Sequence, residues 1–307
     1  MQRTDLEYSV VVPVMNEEEN VTLLYDKLVK ALQAMGMPYE IIIVDDGSTD
    51  KTFEILEKIR SQDENLKLIK FRRNFGQSAA MGAGFRFARG NIIIAMDGDL
   101  QNDPADIPKL VARLAEGYDV VSGWRKNRKD KMIVRKLPSR IANRLIQRLT
   151  RVQIHDTGCS LKAYRKEIVK KVRVYGELHR FIPALARIEG AKVGEVVVSH
   201  HSRKFGKSKY KITRTFKVVM DLTTLNLLMK YLTNPMHFFG LLGIMFNVFG
   251  VMTLLSILYC VGILEYTLEE INVLLSTAFI LLAGGFQSFF FGLLAKIVVQ
   301  TGDRTRI

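Results

Sequence analysis

Two long stretches without a charged residue, Tyr231 to Leu264 and Ile271 to Ala295, constrain this chain more than any other feature. A helix needs roughly 20 apolar residues to cross a bilayer, so each stretch is long enough to span one. Both are rich in Phe, Leu, Ile and Gly and lack the alternation of a strand, which reads as helix. The alternative, a buried hairpin of core helices, fits poorly with that length and charge-free composition. The connecting residues 265–270 carry three carboxylates and no base, whereas Arg214, Lys217 and Lys230 precede the first stretch and Lys296, Arg304 and Arg306 follow the second. Basic residues stay on the cytoplasmic side, so both termini are expected in the cytoplasm and the acidic turn outside. Met1 to Ser9 is polar and runs straight into a strand pattern, without the features of a signal peptide. The body ahead of the spans is therefore expected to be cytosolic.

The 307 residues carry a formal net charge of +14. Such a value first suggests nucleic acid. Here the basic residues gather near the apolar stretches, so a lipid bilayer is the expected partner and nucleic acid is not. Cys159 and Cys260, one in the body and one in a span, imply neither a disulfide nor a zinc framework.

The body alternates strand and helix patterns. Strands are expected at 8–14, 40–44, 66–71 and 92–96, and helices at 20–35, 52–61 and 77–88. That order predicts an α/β fold with a mostly parallel sheet wound by right-handed crossovers. Ligands bind beyond the carboxyl ends of such strands. Three polar clusters fall there: Asn16-Glu17, Asp45-Asp46 and Asp97-Gly98-Asp99. The third is followed by Gln101, and positions 97, 99 and 101 would present oxygens in one direction if extended geometry persists. Three hard oxygens suit Mg²⁺ or Mn²⁺, ions that usually hold substrate phosphates as well. A plain strand-end turn is the other reading, since Asp-Gly is a common turn pair. No Gly-x-x-x-x-Gly-Lys loop is present and no Gly-x-Gly-x-x-Gly follows the first strand, so kinase-like and dinucleotide readings lose support. The chemistry left is displacement of a nucleoside diphosphate, eased by a metal acting as a Lewis acid.

Beyond Gly123 the chain turns basic, with seven Lys or Arg from Arg125 to Lys136. Leu137, Ile141, Leu145 and Leu149 then form an apolar stripe beside Arg140, Arg144 and Arg148. Residues 133–151 read as a helix in the membrane interface, with an ordinary amphipathic helix on the core as the alternative. Residues 210–231 read as a second interfacial helix. The expected divisions are a catalytic domain at 1–209, that helix, and a two-span hairpin at 232–307.

The ordered set Val11-Val-Pro-Val-Met-Asn-Glu17, Val44-Asp-Asp-Gly-Ser-Thr-Asp50, Arg73-Asn-Phe-Gly-Gln77, Met96-Asp-Gly-Asp-Leu-Gln101, Ser122-Gly-Trp-Arg125, Asp156-Thr-Gly-Cys-Ser160 and Arg203-Lys-Phe-Gly-Lys-Ser-Lys-Tyr210 resembles the family 2 glycosyltransferases of GT-A fold. Within them it is similar to the polyprenyl-phosphate group, typified by dolichol-phosphate mannose synthase and its bacterial undecaprenyl-phosphate relatives. The likeness covers essentially the whole chain, both spans included. It implies a nucleobase and ribose pocket at Pro13, Asn16, Glu17, Asp45 and Asp46. It implies a metal and diphosphate site at Asp97, Gly98, Asp99 and Gln101, loaded with Mg²⁺ or Mn²⁺. Arg125, Arg135 and Ser139 match groups that hold the lipid phosphate, where the planar fork of arginine binds oxygens in pairs. For the two arginines a solvated charge run or contact with anionic lipid stays open. Arg203, Ser208 and Lys209 match a loop that closes near the donor diphosphate. Catalytic work would rest on Asp99, Arg125 and Asp156. Asp156 would orient the acceptor or a nearby arginine, unless it is simply a turn residue before Gly158.

The implied reaction is inverting transfer of one sugar to undecaprenyl or another polyprenyl phosphate at the cytoplasmic face of a bacterial inner membrane. UDP-glucose is the first donor expectation, with GDP-mannose and a UDP-aminopentose open. A processive polysaccharide synthase would carry Gln-x-x-Arg-Trp, and the sole tryptophan, Trp124, lies in no such motif. A silent scaffold would have lost the acidic residues of the metal site, and these are present. His200 and His201, adjacent on a strand end, would face opposite sides and make a poor metal pair. His179 is a candidate for the sugar pocket or a helix start. Gly240, Gly243, Gly250, Gly284 and Gly285 are candidate close-contact positions where hairpins pack, homo-oligomer included.

Overall fold

The computed structural model describes residues 6–126, 154–172, 178–188, 190–202, 235–264, 266–267 and 269–304. The chain divides into two compact units, Met1–Leu222 and Thr223–Ile307. The expected boundaries at 209–210 and 231–232, and the expected interfacial helices at 133–151 and 210–231, fall outside the described residues.

In the first unit the apolar runs become strands β1 (Tyr8–Val14), β2 (Tyr39–Asp45), β3 (Leu66–Lys70) and β4 (Ile92–Ala95). Between them lie α1 (Val21–Gln33), α2 (Thr52–Arg60) and α3 (Gln77–Phe87). After β4 come a 3-10 turn (Pro104–Asp106), α4 (Ile107–Ala115), β5 (Val120–Trp124), β6 (Lys162–Arg165) and α5 (Lys166–Val169). A second 3-10 turn (Leu178–Phe181), α6 (Ile182–Ile188) and β7 (Val193–Val197) complete the unit. The seven strands pair in the order β3-β2-β1-β4-β6-β5-β7. The four N-terminal strands are parallel, whereas β6 runs antiparallel to both β4 and β5. The sheet is therefore mixed rather than wholly parallel, because β6 enters between two strands made before it.

Alternation divides the core into two layers. Val10, Val12, Ile41, Ile43 and Ile94 pack with α1 and α4 on one face. Val11, Ile42, Val44, Ile93 and Tyr164 pack with α3 and α6 on the other. The Gly/Ala-rich composition of α3 has a steric cause: a Cβ at Gly84 would lie 2.2 Å from Val11 Cγ1. Only a helix with so little side chain can press this closely on β1.

In the second unit α7 (Pro235–Gly262) and α8 (Asn272–Arg304) form an antiparallel hairpin. Each contains 28 residues that are long and apolar enough to cross a membrane. At 1.5 Å per residue that is roughly 42 Å, against a hydrocarbon core of about 30 Å. The outward face is apolar, with Val273 79 % and Phe279 73 % exposed, unlike a helix pair from a soluble core. The glycines face inward. A Cβ at Gly243 would meet Gly285 O at 2.9 Å, and one at Gly250 would meet Leu282 at 2.8 Å. They serve close approach within one hairpin.

Candidate active site

The strand order places β1 between β2 and β4, with successive crossovers leaving β1 in opposite directions. The crevice beyond the carboxyl ends of β1 and β4 is the topological switch point, where this architecture binds ligands. Pro13 helps to open it. Met96 donates its N–H to Val11 O and Asp46 to Val14 O, so odd-numbered groups of β1 face β4. The β4 ladder stops at the Val11–Ala95 pair. The N–H that proline lacks would thus point past the end of β4, where no ladder bond is forfeited.

Three loops meet at this edge. Asn16 adopts φ +52°. Its N–H donates to Ser48 Oγ at 2.9 Å, and its side-chain oxygen accepts from Thr49 N at 2.8 Å. Glu17 N donates to Thr52 Oγ1 at 2.8 Å, while its carboxylate accepts from Asn20 Nδ2 at 2.6 Å. The β1 and β2 loops are therefore stitched together by short polar side chains. Asp45 Oδ1 accepts from Ser48 N and its hydroxyl, leaving Asp45 Oδ2 buried without a hydrogen-bond partner among the described residues. Such an orphan is costly unless something fills the pocket. Asp46 accepts from the backbone N–H groups of Phe75 at 2.7 Å and Gly76 at 2.9 Å. It thereby ties the β3–α3 loop to the crevice. Burial raises its pKa, and those two bonds oppose the rise. Gly47, at φ +72°, has no room for a side chain, since a Cβ would lie 2.5 Å from Arg73 C.

The third loop corrects one sequence expectation. Extended geometry ends at Ala95, and residues 97–101 turn instead of alternating. Leu100, buried and bulky, sits at φ +59°. That region is strained for such a residue and is occupied mainly where the surroundings enforce it. Two contacts hold the turn. A Cβ at Gly98 would lie 2.7 Å from Val14 Cγ1, so the loop is pressed onto the end of β1. Asp99 Oδ1 accepts from Gln101 N at 3.1 Å. Asp97 stays partly exposed and receives Gln77 Nε2 at 2.5 Å, whereas Asp99 is buried. Desolvation by the crevice walls, then the charge of Asp99, holds the Asp97 carboxyl above the usual carboxylate range, with Ser160, Arg125 and Lys162 pulling it back.

This donor set suits a hard cation. Among the described residues no three His, Cys, Asp or Glu side chains cluster as a complete metal cage. Two carboxylates and a carboxamide are what Mg²⁺ or Mn²⁺ uses when substrate phosphates and water supply the remaining oxygens. The two carboxylates that repel across Asp97 and Asp99 would be relieved by such an ion.

The other side of the crevice is built from β5 and β6. Arg125 Nε donates to Asp156 Oδ2 at 2.7 Å and Nη2 donates to Oδ1 at 3.0 Å. Arg125 N reaches the same carboxylate at 3.3 Å. Both side chains are largely buried, and Gly158 leaves room for the fork, since a Cβ there would lie 3.3 Å from Nη2. Two faces of the guanidinium predicted to grip a phosphate are thus held by Asp156. Lys162 lies beside them, registered against Ala95 of β4 and Ser122 of β5. It is 2 % exposed, and its ammonium donates to Thr157 O at 3.3 Å. Burial pushes it down to about 8, while the carboxylates of Asp156 and Asp97 work to keep it charged. Burial also pushes the Cys159 thiol up to about 11, which leaves it inert near neutrality.

Several residues given no role at the metal and diphosphate site from sequence make contacts there. Gln77 and Ser160 bind Asp97, and Asn102 Nδ2 binds Ser160 Oγ at 2.7 Å. Gln77 was legible only as part of a motif, and Lys162 lies inside a strand with no pattern to mark it. His179 Nδ1 pairs with Ser78 Oγ at 2.7 Å in the first turn of α3. Burial pushes this imidazole down to about 3, so it is neutral. His200 bridges Asn102 and is buried, whereas His201 is exposed and pairs with Asp103, so the two do face apart. Trp124 stacks on His155 with ring centroids 4.4 Å apart. Arg135, Ser139, Arg203, Ser208 and Lys209 lie outside the described residues.

Residues 9–173 match the family model described as Glycosyl transferase family 2. The chain is 44 % identical over 303 residues to dodecaprenyl-phosphate galacturonate synthase of Rhizobium johnstonii, covering 96 % of this chain and 88 % of that protein. Among solved structures it resembles glucosyl-3-phosphoglycerate synthase from Mycobacterium tuberculosis in complex with Mn²⁺, UDP and phosphoglyceric acid. That match has a TM-score of 0.57 at 18 % identity, over 72 % of this chain and 78 % of that one. Residues 1–349 of S. aureus TarS in complex with UDP-GlcNAc match with a TM-score of 0.53 at 21 % identity, over 72 % and 67 % of the two chains. These structural likenesses establish the fold.

Proposed function

The chain belongs to glycosyl transferase family 2, and from that premise we propose that it transfers a single sugar from a nucleoside diphosphate to a polyprenyl phosphate. The observation that carries this reading is the meeting of the Asp45-Asp46 and Asp97–Asp99 loops with the Arg125–Asp156 pair and Lys162 at one crevice. An acidic half suits a cation-bound diphosphate, and a basic half suits an anionic acceptor. Two helices long enough to cross a bilayer suit an acceptor that is itself a lipid.

The nucleotide would lie along Pro13, Asn16, Glu17, Asp45 and Asp46, with Asp45 Oδ2 available to a base or ribose donor. Asp97, Asp99 and Gln101 would hold Mg²⁺ or Mn²⁺, whose charge would offset that developing on the departing diphosphate. The nucleophile is an oxygen of the lipid phosphate, already ionised near neutral pH, so no strong general base is required. That oxygen bonds to the anomeric carbon as the bond to the diphosphate breaks, and in-line attack inverts the centre. The protein contributes positioning and charge. Asp156 holds Arg125 in one orientation, leaving Nη1 as the donor to aim at the acceptor. Arg135 and Ser139 would complete the acceptor site, and Arg203, Ser208 and Lys209 would close over the donor. The reading places the catalytic unit and both termini on the cytoplasmic side of a bacterial inner membrane.

UDP-glucose is the first donor to test. Galacturonate on a nucleoside diphosphate is the second reading, favoured by the 44 % identity to a galacturonate synthase. The test is a donor panel. Purified protein, a short-chain polyprenyl phosphate and Mg²⁺ or Mn²⁺ are incubated with UDP-glucose, UDP-galactose, UDP-galacturonate, UDP-GlcNAc and GDP-mannose, and glycolipid is read by mass spectrometry. Product only from UDP-galacturonate would replace glucose with the uronate. Product from no donor with any polyprenyl phosphate would sink the acceptor assignment.

A further inference from the structure

The pair that holds the candidate acceptor arginine has a second pair directly before it in sequence. Arg125 is clasped by Asp156, and the residues that precede them, Trp124 and His155, stack on one another with ring planes 17° apart. Two adjacent contacts thus join the end of β5 to residues 154–156. One contact alone would let that segment pivot, whereas two in succession fix its direction.

The segment is also tied to the sheet. Ile154 and Asp156 are buried, and His155 between them is turned outward. Its backbone N–H donates to Glu195 Oε2 at 2.8 Å, and its ring Nδ1 pairs with Glu195 Oε1. An ionised carboxylate only accepts, so Nδ1 carries the proton. Both oxygens of Glu195 therefore hold one residue. Glu195 belongs to β7, is registered against Ser122 of β5, and has a side chain only 15 % exposed. A paired strand is a stiffer reference than a loop. Lys126 adds its ammonium 5.6 Å from the centre of the Trp124 ring, within cation–π range. The indole is thus engaged by His155 and Lys126 rather than presented bare to a sugar or an isoprene unit.

We propose that Glu195, His155 and Trp124 are positioning residues, which lock the Arg125–Asp156 fork to β7 and so set the direction in which Arg125 Nη1 meets an anionic acceptor. They act through Asp156 and need not touch the reacting atoms. A guanidinium binds phosphate oxygens within a narrow range of angles, so the orientation of the fork decides whether it binds well. A displacement of about 1 Å at such a group costs up to about 100-fold. The proposal rests on the reading of Arg125 as a ligand of the acceptor phosphate and is independent of the donor.

The purified full chain in detergent is titrated with a short-chain polyprenyl phosphate. The dissociation constant, the melting temperature and the fluorescence of Trp124, the sole tryptophan, are recorded. Glu195→Ala is expected to weaken acceptor binding about tenfold at a nearly unchanged melting temperature, and to shift the emission to the red as the indole loses its partner. His155→Ala is expected to weaken binding at least as much. Glu195→Gln keeps an acceptor for the His155 N–H and offers a donor to the other ring tautomer, so it should bind within about twofold of wild type. Unchanged affinity in Glu195→Ala and His155→Ala would overturn the proposal, as would a loss that tracks a fall in melting temperature, an unshifted emission in Glu195→Ala, or a Glu195→Gln as weak as Glu195→Ala. Arg125→Lys separates the two layers of inference. Unchanged affinity in Arg125→Lys, or a wild type that binds no polyprenyl phosphate, refutes the acceptor reading of Arg125 and this proposal together. Affinity lost in Arg125→Lys and kept in Glu195→Ala refutes this proposal alone.

Discussion

The two halves of the sheet reach the same crevice by different routes. In the parallel half, β1, β2 and β4 each end in a loop that carries the polar residues, anchored by backbone N–H groups of the same or a neighbouring loop. In the mixed half, the charges sit on or beside the strands: Arg125 directly after β5, Lys162 within β6, and Asp156 folded back onto Arg125. The parallel half supplies exposed or ligand-ready oxygens. The mixed half supplies two buried cations, Arg125 matched with the Asp156 carboxylate and Lys162 donating to the Thr157 carbonyl. A loop-borne group can be lost with little cost to the fold, whereas a buried charge pair belongs to both fold and site.

Substitutions can break that contrast. The largest effect is expected for Asp99→Ala in the parallel half. Losing a carboxylate that offsets diphosphate charge is worth several kcal/mol, so turnover should fall about 10³-fold or more. Thermal stability should change little by comparison. Turnover within a few-fold of wild type would remove Asp97–Asp99 from the chemistry.

A smaller and opposite pattern is expected for Lys162→Met in the mixed half. Methionine nearly conserves the volume and removes a charge whose burial is penalised, so stability should hold or rise by about 1 kcal/mol. Glycolipid synthesis should fall about 10- to 100-fold, by analogy with outer-shell residues that tune a site. Lys162→Arg should restore part of it. A variant that is as active as wild type would make Lys162 purely structural.

The last effect is on stability alone and concerns the contact of His179 with Ser78. The neutral imidazole has a folded pKa pushed down to about 3 from an ordinary 6.5. Its contribution is fully present above the unfolded value and is lost as pH falls from there toward about 3. At pH 4.5 the unfolded state binds the extra proton, which costs the folded state about 3 kcal/mol. His179→Asn should therefore melt with a shallower dependence on pH between 6.5 and 4.5 than wild type. Parallel pH curves for the two proteins would show that the imidazole is not buried neutral.

The contrast also explains what could be read from sequence. Strand ends announce themselves, since Ile92 to Ala95 is apolar and Asp97 is not. The parallel half was legible, and so were its three clusters. The spans were legible because sustained absence of charge is a length-scale signal. The turn at Leu100 was not, because nothing in a leucine foretells a positive φ; only the pressure of Gly98 on Val14 enforces it. Lys162 was hidden for a related reason. A lysine at the start of a four-residue strand looks like a surface residue until β4 and β5 close on either side of it. The Arg125–Asp156 pair was half visible, as an arginine and an aspartate without the distance between them.

The position of β6 has a consequence for the order in which the chain matures. Residues 162–165 must slot between β4 and β5, both of which leave the ribosome earlier. Until then β4 is a bare edge, and the nearest strand able to occupy it wrongly is β5. The four parallel strands can assemble as synthesis proceeds, but the crevice acquires its basic wall only when a late, sequence-distant segment arrives. Pairings of that kind are slow because the loop must close before the contact rewards it. Until β6 docks, Arg125 lacks the Asp156 segment that fixes it, and the open edge of β4 is where misassembly is expected.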